Sequence, residues 1–166
     1  MPGPALGELA GRLQAACLGR GLTVATAESC TGGLVAETIT TISGSSGYFL
    51  GGVVSYADAL KIRLLDVPPS MLEAHGAVSA QVARAMATGC RARLGASLVV
   101  SITGIAGPDG GTEAKPVGLA YIGLAGAVED DVRRFVFSGD RAAVREAAAA
   151  AALEWLIAVA EAGASR

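Results

Sequence analysis

Apolar positions change their period several times along this chain, and each change marks an element. From Leu6 to Leu18 they fall near helical spacing and stop at Gly19 and Gly21, which predicts a helix with a glycine end. Leu22 to Ala27 is a short β-branched run and predicts a strand. Glu28-Ser29-Cys30-Thr31-Gly32-Gly33 follows as a polar turn, with both glycines expected just inside a helix from Leu34 to Ile42. Gly44 to Gly47 is a loop, and Tyr48 to Tyr56 a second strand. Ala57 to Leu65 is expected to be helical and to be stopped by Pro68-Pro69. Met71 to His75 predicts a short helix, and Ser79 caps a longer one through Leu94, closed by Gly95. Ala96 to Thr103 is an apolar strand buried on both faces, and 104–116 is a long Gly/Pro loop. Val117 to Ala125 and Val128 to Phe137 predict a hairpin, with Gly126-Ala127 as a weak turn signal. Asp140 caps a last helix to about Ala162. Alternating helices and strands followed by a hairpin predict an α/β fold with a mixed sheet covered on both faces, in one domain spanning 1–166.

Composition narrows the function classes. Hydrophobic residues make up 52% and charged residues 17%, as in a folded globular chain. A net charge of −2 with no basic run argues against a nucleic-acid surface. Cys17, Cys30 and Cys90 are odd in number and dispersed, which suits a reduced, cytoplasmic setting and makes no metal motif. His75 is the only histidine, so neither a His-based zinc site nor a Ser-His-Asp triad is expected. Asp66 and Asp109 lack metal-ligand spacing, and the expected metal and cofactor requirement is none. No signal peptide is expected. The apolar stretch from Ala147 to Ala160 is broken by Glu154 and falls short of the ~20 residues a membrane span needs.

The basic residues carry the first chemical hint. Of thirteen, only Lys61 and Lys115 are lysine. Arginine keeps its charge, whereas a desolvated lysine can shed its proton and act as a base. Lys61 follows Ser55-Tyr56, and Lys115 closes the Gly-rich loop. Ser29 lies between a strand and a helix, where exposed N–H groups can bind a phosphate or stabilise an oxyanion, although capping alone would also place a Ser there. Cys30 is the alternative nucleophile, ranked below Ser29 because no His accompanies it. A neutral Lys61 could deprotonate Ser29, with Tyr56 orienting or relaying a proton, as in Ser-Lys variants of the serine-base arrangement. The strands ending near Ala27, Tyr56 and Thr103 all carry polar residues at their carboxyl ends, where ligands collect in α/β sheets. The loop Gly107 to Pro116 is a candidate flap over a substrate, and Arg141 can fork onto a phosphate or carboxylate or pair with Glu146.

Together, Thr26 to Gly33, Gly52 to Tyr56, Lys61, Gly76 to Ser79, Ser101 to Pro108, Gly110 to Glu113, Lys115 to Gly118 and Gly139-Asp140-Arg141 resemble the CinA C-terminal domain family, also called the PncC family of nicotinamide-nucleotide amidohydrolases. The resemblance spans roughly residues 5 to 160. It implies a three-layer α/β/α sandwich, a homo-oligomer with a dimer favoured, and hydrolysis of nicotinamide mononucleotide to nicotinate mononucleotide and ammonia in pyridine-nucleotide salvage. It places Ser29, Lys61 and Tyr56 in catalysis. Thr31, Gly32, Gly33, Ser55, Thr103, Gly104, Lys115 and Arg141 fall on substrate-binding positions, with Arg141 open to serving a neighbouring subunit. The expected partner is a small-molecule nucleotide, with no nucleic acid and no membrane. Longer relatives carry an additional N-terminal domain for which this chain has no room, so a stand-alone form is expected. Asp58 stands where Asn is expected in many members. The rival reading is a non-catalytic nucleotide-binding module linked to competence or DNA damage.

Overall fold

A computed structural model describes residues 4–126 and 130–163. Its elements are helix α1 (Pro4–Leu18), strand β1 (Val24–Glu28), α2 (Leu34–Thr40), β2 (Phe49–Val54), α3 (Asp58–Leu65), α4 (Pro69–His75), α5 (Ala80–Leu94), β3 (Leu98–Gly104), β4 (Leu119–Ala125), β5 (Asp131–Val136) and α6 (Arg141–Ala162). Among the described residues the strands form one sheet in the order β2-β1-β3-β4-β5. β1 pairs in parallel with β2 and β3, while β3–β4 and β4–β5 are antiparallel, so the sheet is mixed as expected.

Strand alternation sends side chains into two cores. Val24, Leu98, Val100 and Ile102 pack with α1, α2 and α6, and Ala25, Ala27 and Val99 pack with α3 and α5. The result is a three-layer α/β/α sandwich. Small residues set the close approaches. A Cβ on Gly89 of α5 would stand 1.8 Å from the Leu65 carbonyl oxygen, so α3 can rest on α5 only over a glycine. α6 buries Ala148, Ala149 and Ala152 together with Leu153, Leu156 and Ile157, and no helix among the described residues is long and apolar enough to cross a membrane.

Ser79 and Asp140 cap α5 and α6 through Val82 N (3.3 Å) and Ala143 N (2.9 Å), as the pattern predicts. Several boundaries differ. β1 runs on to Glu28, and β2 stops at Val54, leaving Ser55 and Tyr56 beyond the strand. α3 ends through Asp66 in the left-handed region (φ 56°), held by a fork from Arg93 at 2.8 and 3.0 Å. Pro69 therefore opens α4 rather than merely stopping α3, since proline's fixed φ and missing N–H suit a first helical turn. The β4–β5 hairpin forms as expected. Its predicted turn residue Ala127 and strand start at Val128 lie outside the described residues.

β1 lies between two parallel neighbours reached by connections in opposite directions. The crevice at the carboxyl ends of β1 and β3 is where open α/β sheets bind ligands.

Candidate active site

Ser29 follows directly on β1 at that crevice. Its N–H donates to the Ile102 carbonyl (2.9 Å), and the Ser55 N–H donates to the Glu28 carbonyl (2.9 Å). The ladders to β3 and β2 thus continue one step past the strand and fix the Ser29 backbone between them. Gly32 (φ 59°) and Gly33 (φ 100°) then take left-handed conformations that side-chain-bearing residues adopt at a cost. They stand before α2, with Gly33 as its N-cap, and not inside the helix as expected.

The carboxylate of Glu28, only 1% exposed, fills the start of α2. It accepts from Val35 N (2.9 Å), Ala36 N (3.1 Å), Thr31 Oγ1 (2.7 Å) and Thr26 Oγ1 (3.3 Å). Leaving a buried carboxylate unpaired costs on the order of several kcal/mol, and four donors remove that cost. The Val35 and Ala36 N–H groups at the start of α2 are therefore taken. Gly32 N donates to Ser29 O (2.9 Å) and Leu34 N to Thr31 O (3.1 Å). Among the described residues the N–H groups of Thr31 and Gly33 keep no hydrogen-bond partner, and that of Cys30 faces its own thiol.

Lys61 reaches this turn from α3. It is 1% exposed, and its Nζ donates to Ser29 Oγ (3.1 Å), Ser55 O (2.8 Å) and Tyr56 O (3.1 Å). Three acceptors match the three N–H donors of an ammonium. A neutral amine would be equally well placed. The two carbonyls can only accept and would keep both remaining N–H groups, leaving the lone pair toward Ser29, the one partner able to donate. Burial holds the Lys61 pKa below the usual lysine value by disfavouring the charged form, against the opposing pull of Asp58 and Cys30. Asp58 Oδ1 lies 3.8 Å from Nζ but is itself largely exposed.

Cys30 makes a poor rival to Ser29. Burial pushes its thiol up to about 11, against the opposing influence of Arg145 and Arg141, so near neutral pH it is not a thiolate. Tyr56 touches Lys61 through its carbonyl. Its side chain is 59% exposed, and its hydroxyl accepts from Arg141 Nη2 (3.1 Å). Arg141 also donates through Nη1 to the Gly107 carbonyl (2.9 Å), within the same chain. It lines a cavity of ≈ 530 Å³ with Ala106, Pro108, Val117, Gly139 and Asp140. A larger cavity of ≈ 670 Å³ lies among α3, α4 and α5, lined by Leu65, Met71 and Arg84. Neither Ser29 nor Lys61 lines either cavity, so cavity size does not mark the chemistry here.

Other expected site residues are committed elsewhere. Thr31 Oγ1 serves Glu28, and Thr103 Oγ1 donates to Ala77 O (2.9 Å). Gly104 pairs with Ala120, and a Cβ there would stand 2.8 Å from the Leu119 carbonyl oxygen. Ser55 contributes its carbonyl, while its buried hydroxyl makes no hydrogen bond. Lys115 is tied to the C-terminal end of α4, Nζ to His75 O at 2.7 Å. Two residues escaped the sequence reading. Glu28 is one, signalled only as an acid at the end of an apolar strand. Arg145 is the other, one helical turn from Arg141, with Nε donating to Cys30 O (3.1 Å) and Nη2 to Thr31 O (2.8 Å). Among the described residues no three His, Cys, Asp or Glu are grouped to hold a metal ion.

A family model for the CinA C-terminal domain matches residues 7–160. A CinA-like protein of Geobacter sp. (strain M21) is 56% identical over 136 residues, covering 82% of this chain and 33% of the relative. A CinA-like protein of Chlorobaculum tepidum is 56% identical over 129 residues, covering 75% of this chain and 30% of the relative. The chain thus spans about a third of the length of the curated relatives it matches. The crystal structure of competence/damage inducible protein CihA from Agrobacterium tumefaciens superimposes with a TM-score of 0.90 at 40% identity, covering 96% of this chain and 98% of that one. A CinA superfamily protein from Klebsiella pneumoniae 700603 gives a TM-score of 0.90 at 32% identity, covering 93% and 97%. On the span of the family match, this level of identity and the shared fold, the chain belongs to the CinA C-terminal domain family.

Proposed function

We propose that this chain is an amidohydrolase that converts nicotinamide mononucleotide to nicotinate mononucleotide and ammonia. The observation that carries the reading is the 3.1 Å hydrogen bond between Ser29 Oγ and the buried Lys61 Nζ, whose other donors rest on carbonyls. A carboxamide is a poor electrophile and needs an activated nucleophile, an oxyanion site and an acid for the departing ammonia. Neutral Lys61 takes the Ser29 proton as Oγ bonds to the carboxamide carbon. The free N–H groups of the turn receive the oxyanion. The C–N bond then breaks as the Lys61 ammonium returns a proton to nitrogen, releasing ammonia and leaving an ester on Ser29. Water, deprotonated by Lys61, cleaves the ester to the carboxylate and restores the Ser29 hydroxyl.

Arg141 is the cation we assign to the substrate phosphate. Its guanidinium has five N–H donors, and two of its nitrogens are engaged, by Gly107 O and Tyr56 Oη. A cytoplasmic homodimer belongs to the same reading. Free, buried Cys17, Cys30 and Cys90 support a reducing compartment. The test is product analysis with the purified chain and nicotinamide mononucleotide. Equal amounts of ammonia and nicotinate mononucleotide are expected. Tight binding of the nucleotide without turnover would overturn the reading in favour of a binding module.

A further inference from the structure

We propose that Glu28 and Arg145 clamp the Ser29 turn from two sides and so position its free Thr31 N–H as an oxyanion donor. The proposal rests on Ser29 being the nucleophile.

Arg145 comes from α6 and grips two successive carbonyls, those of Cys30 and Thr31, at 3.1 and 2.8 Å. In a trans peptide a carbonyl and the N–H that follows it point in opposite directions. Drawing the Cys30 carbonyl toward α6 therefore turns the Thr31 N–H away from α6. Drawing the Thr31 carbonyl the same way turns the Gly32 N–H away, where it closes on Ser29 O at 2.9 Å. The guanidinium also polarises both peptides, which makes their N–H groups better donors.

Glu28 acts from the α2 side. It takes the Val35 and Ala36 N–H groups and the Thr31 hydroxyl, so the start of α2 is closed to a substrate anion. What stays open is the turn itself. The clamp also explains why two charged side chains converge on a stretch of backbone while neither bonds to Ser29 Oγ or to Lys61 Nζ. Both are positioning residues, and neither touches the reacting atoms. Gly32 fits the same geometry, since a Cβ there would lie 3.5 Å from Arg145 Nη2 in a left-handed backbone.

The test compares the full-length wild type with Glu28→Gln, Arg145→Met and Arg145→Lys. Three readouts are taken: the melting temperature, kcat and KM for ammonia release from nicotinamide mononucleotide, and the rate at which a fluorophosphonate labels Ser29 by intact mass. In the labelling step Oγ bonds to phosphorus, the P–F bond breaks, fluoride leaves and the proton passes to Lys61. Displacing donors by a fraction of an ångström to 1 Å costs up to ~100-fold in rate. Glu28→Gln and Arg145→Met should therefore lose ~10- to 100-fold in kcat, with KM within about 3-fold and labelling slowed in parallel. Arg145→Lys should recover part of the loss, because it can still hold one carbonyl, and it carries the arginine arm if Arg145→Met does not fold. Folded variants that keep kcat and labelling within about 2-fold of wild type, with only the melting temperature lowered, would overturn the clamp and leave a structural tether. A wild type that neither releases ammonia nor accepts the label would instead overturn the Ser29 reading, and the clamp with it.

Discussion

The two lysines of this chain stand in opposite surroundings. Lys61 is sealed at the strand ends, 1% exposed, with its Nζ on one hydroxyl and two carbonyls. Lys115 is half in solvent on the long loop and donates to a single carbonyl at the end of α4. Both are rare residues beside Gly- or Ser-rich segments, and sequence alone treats them alike. Burial separates them. Desolvation makes the neutral amine accessible to Lys61 and gives it the one neighbour that can use it, whereas Lys115 holds a loop.

The comparison breaks first at Ser29. Ser29→Ala should lower kcat by at least ~1000-fold while the melting temperature stays close to that of wild type, because the backbone bonds at this position do not involve Oγ. Turnover of the pure, folded variant near the wild-type rate would remove Ser29 as nucleophile.

Next in size is Arg141. Arg141→Ala should raise KM for nicotinamide mononucleotide by ~10- to 100-fold and affect the phosphate-free riboside far less, since a forked charge-assisted contact to phosphate is worth roughly 1.5–3 kcal/mol. Steady-state kinetics with both substrates decide the matter. Equal losses would show that Arg141 orders the Tyr56 side chain and Gly107 rather than reading the phosphate.

Lys115 supplies the contrast. Lys115→Arg should keep kcat within about 3-fold of wild type, because Arg can still donate to the His75 carbonyl. A collapse of kcat in this variant would place Lys115 in the chemistry and dissolve the distinction.

The pH dependence sharpens the Lys61 side. With its pKa lowered by burial and held up by Asp58, kcat should rise with pH as Nζ loses its proton. Asp58→Asn removes the carboxylate 3.8 Å away, which disfavours the ammonium, so the rise should move to lower pH. The displacement should be modest, since Asp58 is 62% exposed and screened by water. A shift to higher pH would mean that Lys61 is not the titrating group. Smallest of all is the expected effect of chelation. Activity after prolonged EDTA dialysis should be unchanged, and activity that one divalent ion restores would point to a metal-activated water instead.

Much of the fold was legible because strand runs such as 96–103 and helix runs such as 141–162 are long and bounded by caps or glycines. Ser29 stood out as a polar residue between a strand and a helix, and Lys61 as one of only two lysines. What failed was long-range. Arg145 meets Cys30 and Thr31 from 115 and 114 residues away, which no local pattern encodes. Glu28 looks like an ordinary polar strand end until its carboxylate is seen capping α2. Thr103, though at the right strand end, faces α5 and spends its hydroxyl on Ala77.

The most direct measurement is ammonia release from nicotinamide mononucleotide by wild type, Lys61→Arg and Lys61→Ala side by side, with folding checked by circular dichroism. Arg keeps the positive charge but cannot surrender a proton near neutral pH. The account predicts steady turnover by wild type and equally severe losses, at least ~1000-fold, in both variants. A Lys61→Arg protein that keeps most of the wild-type rate would show that position 61 supplies only charge, and the Ser29–Lys61 mechanism would be wrong.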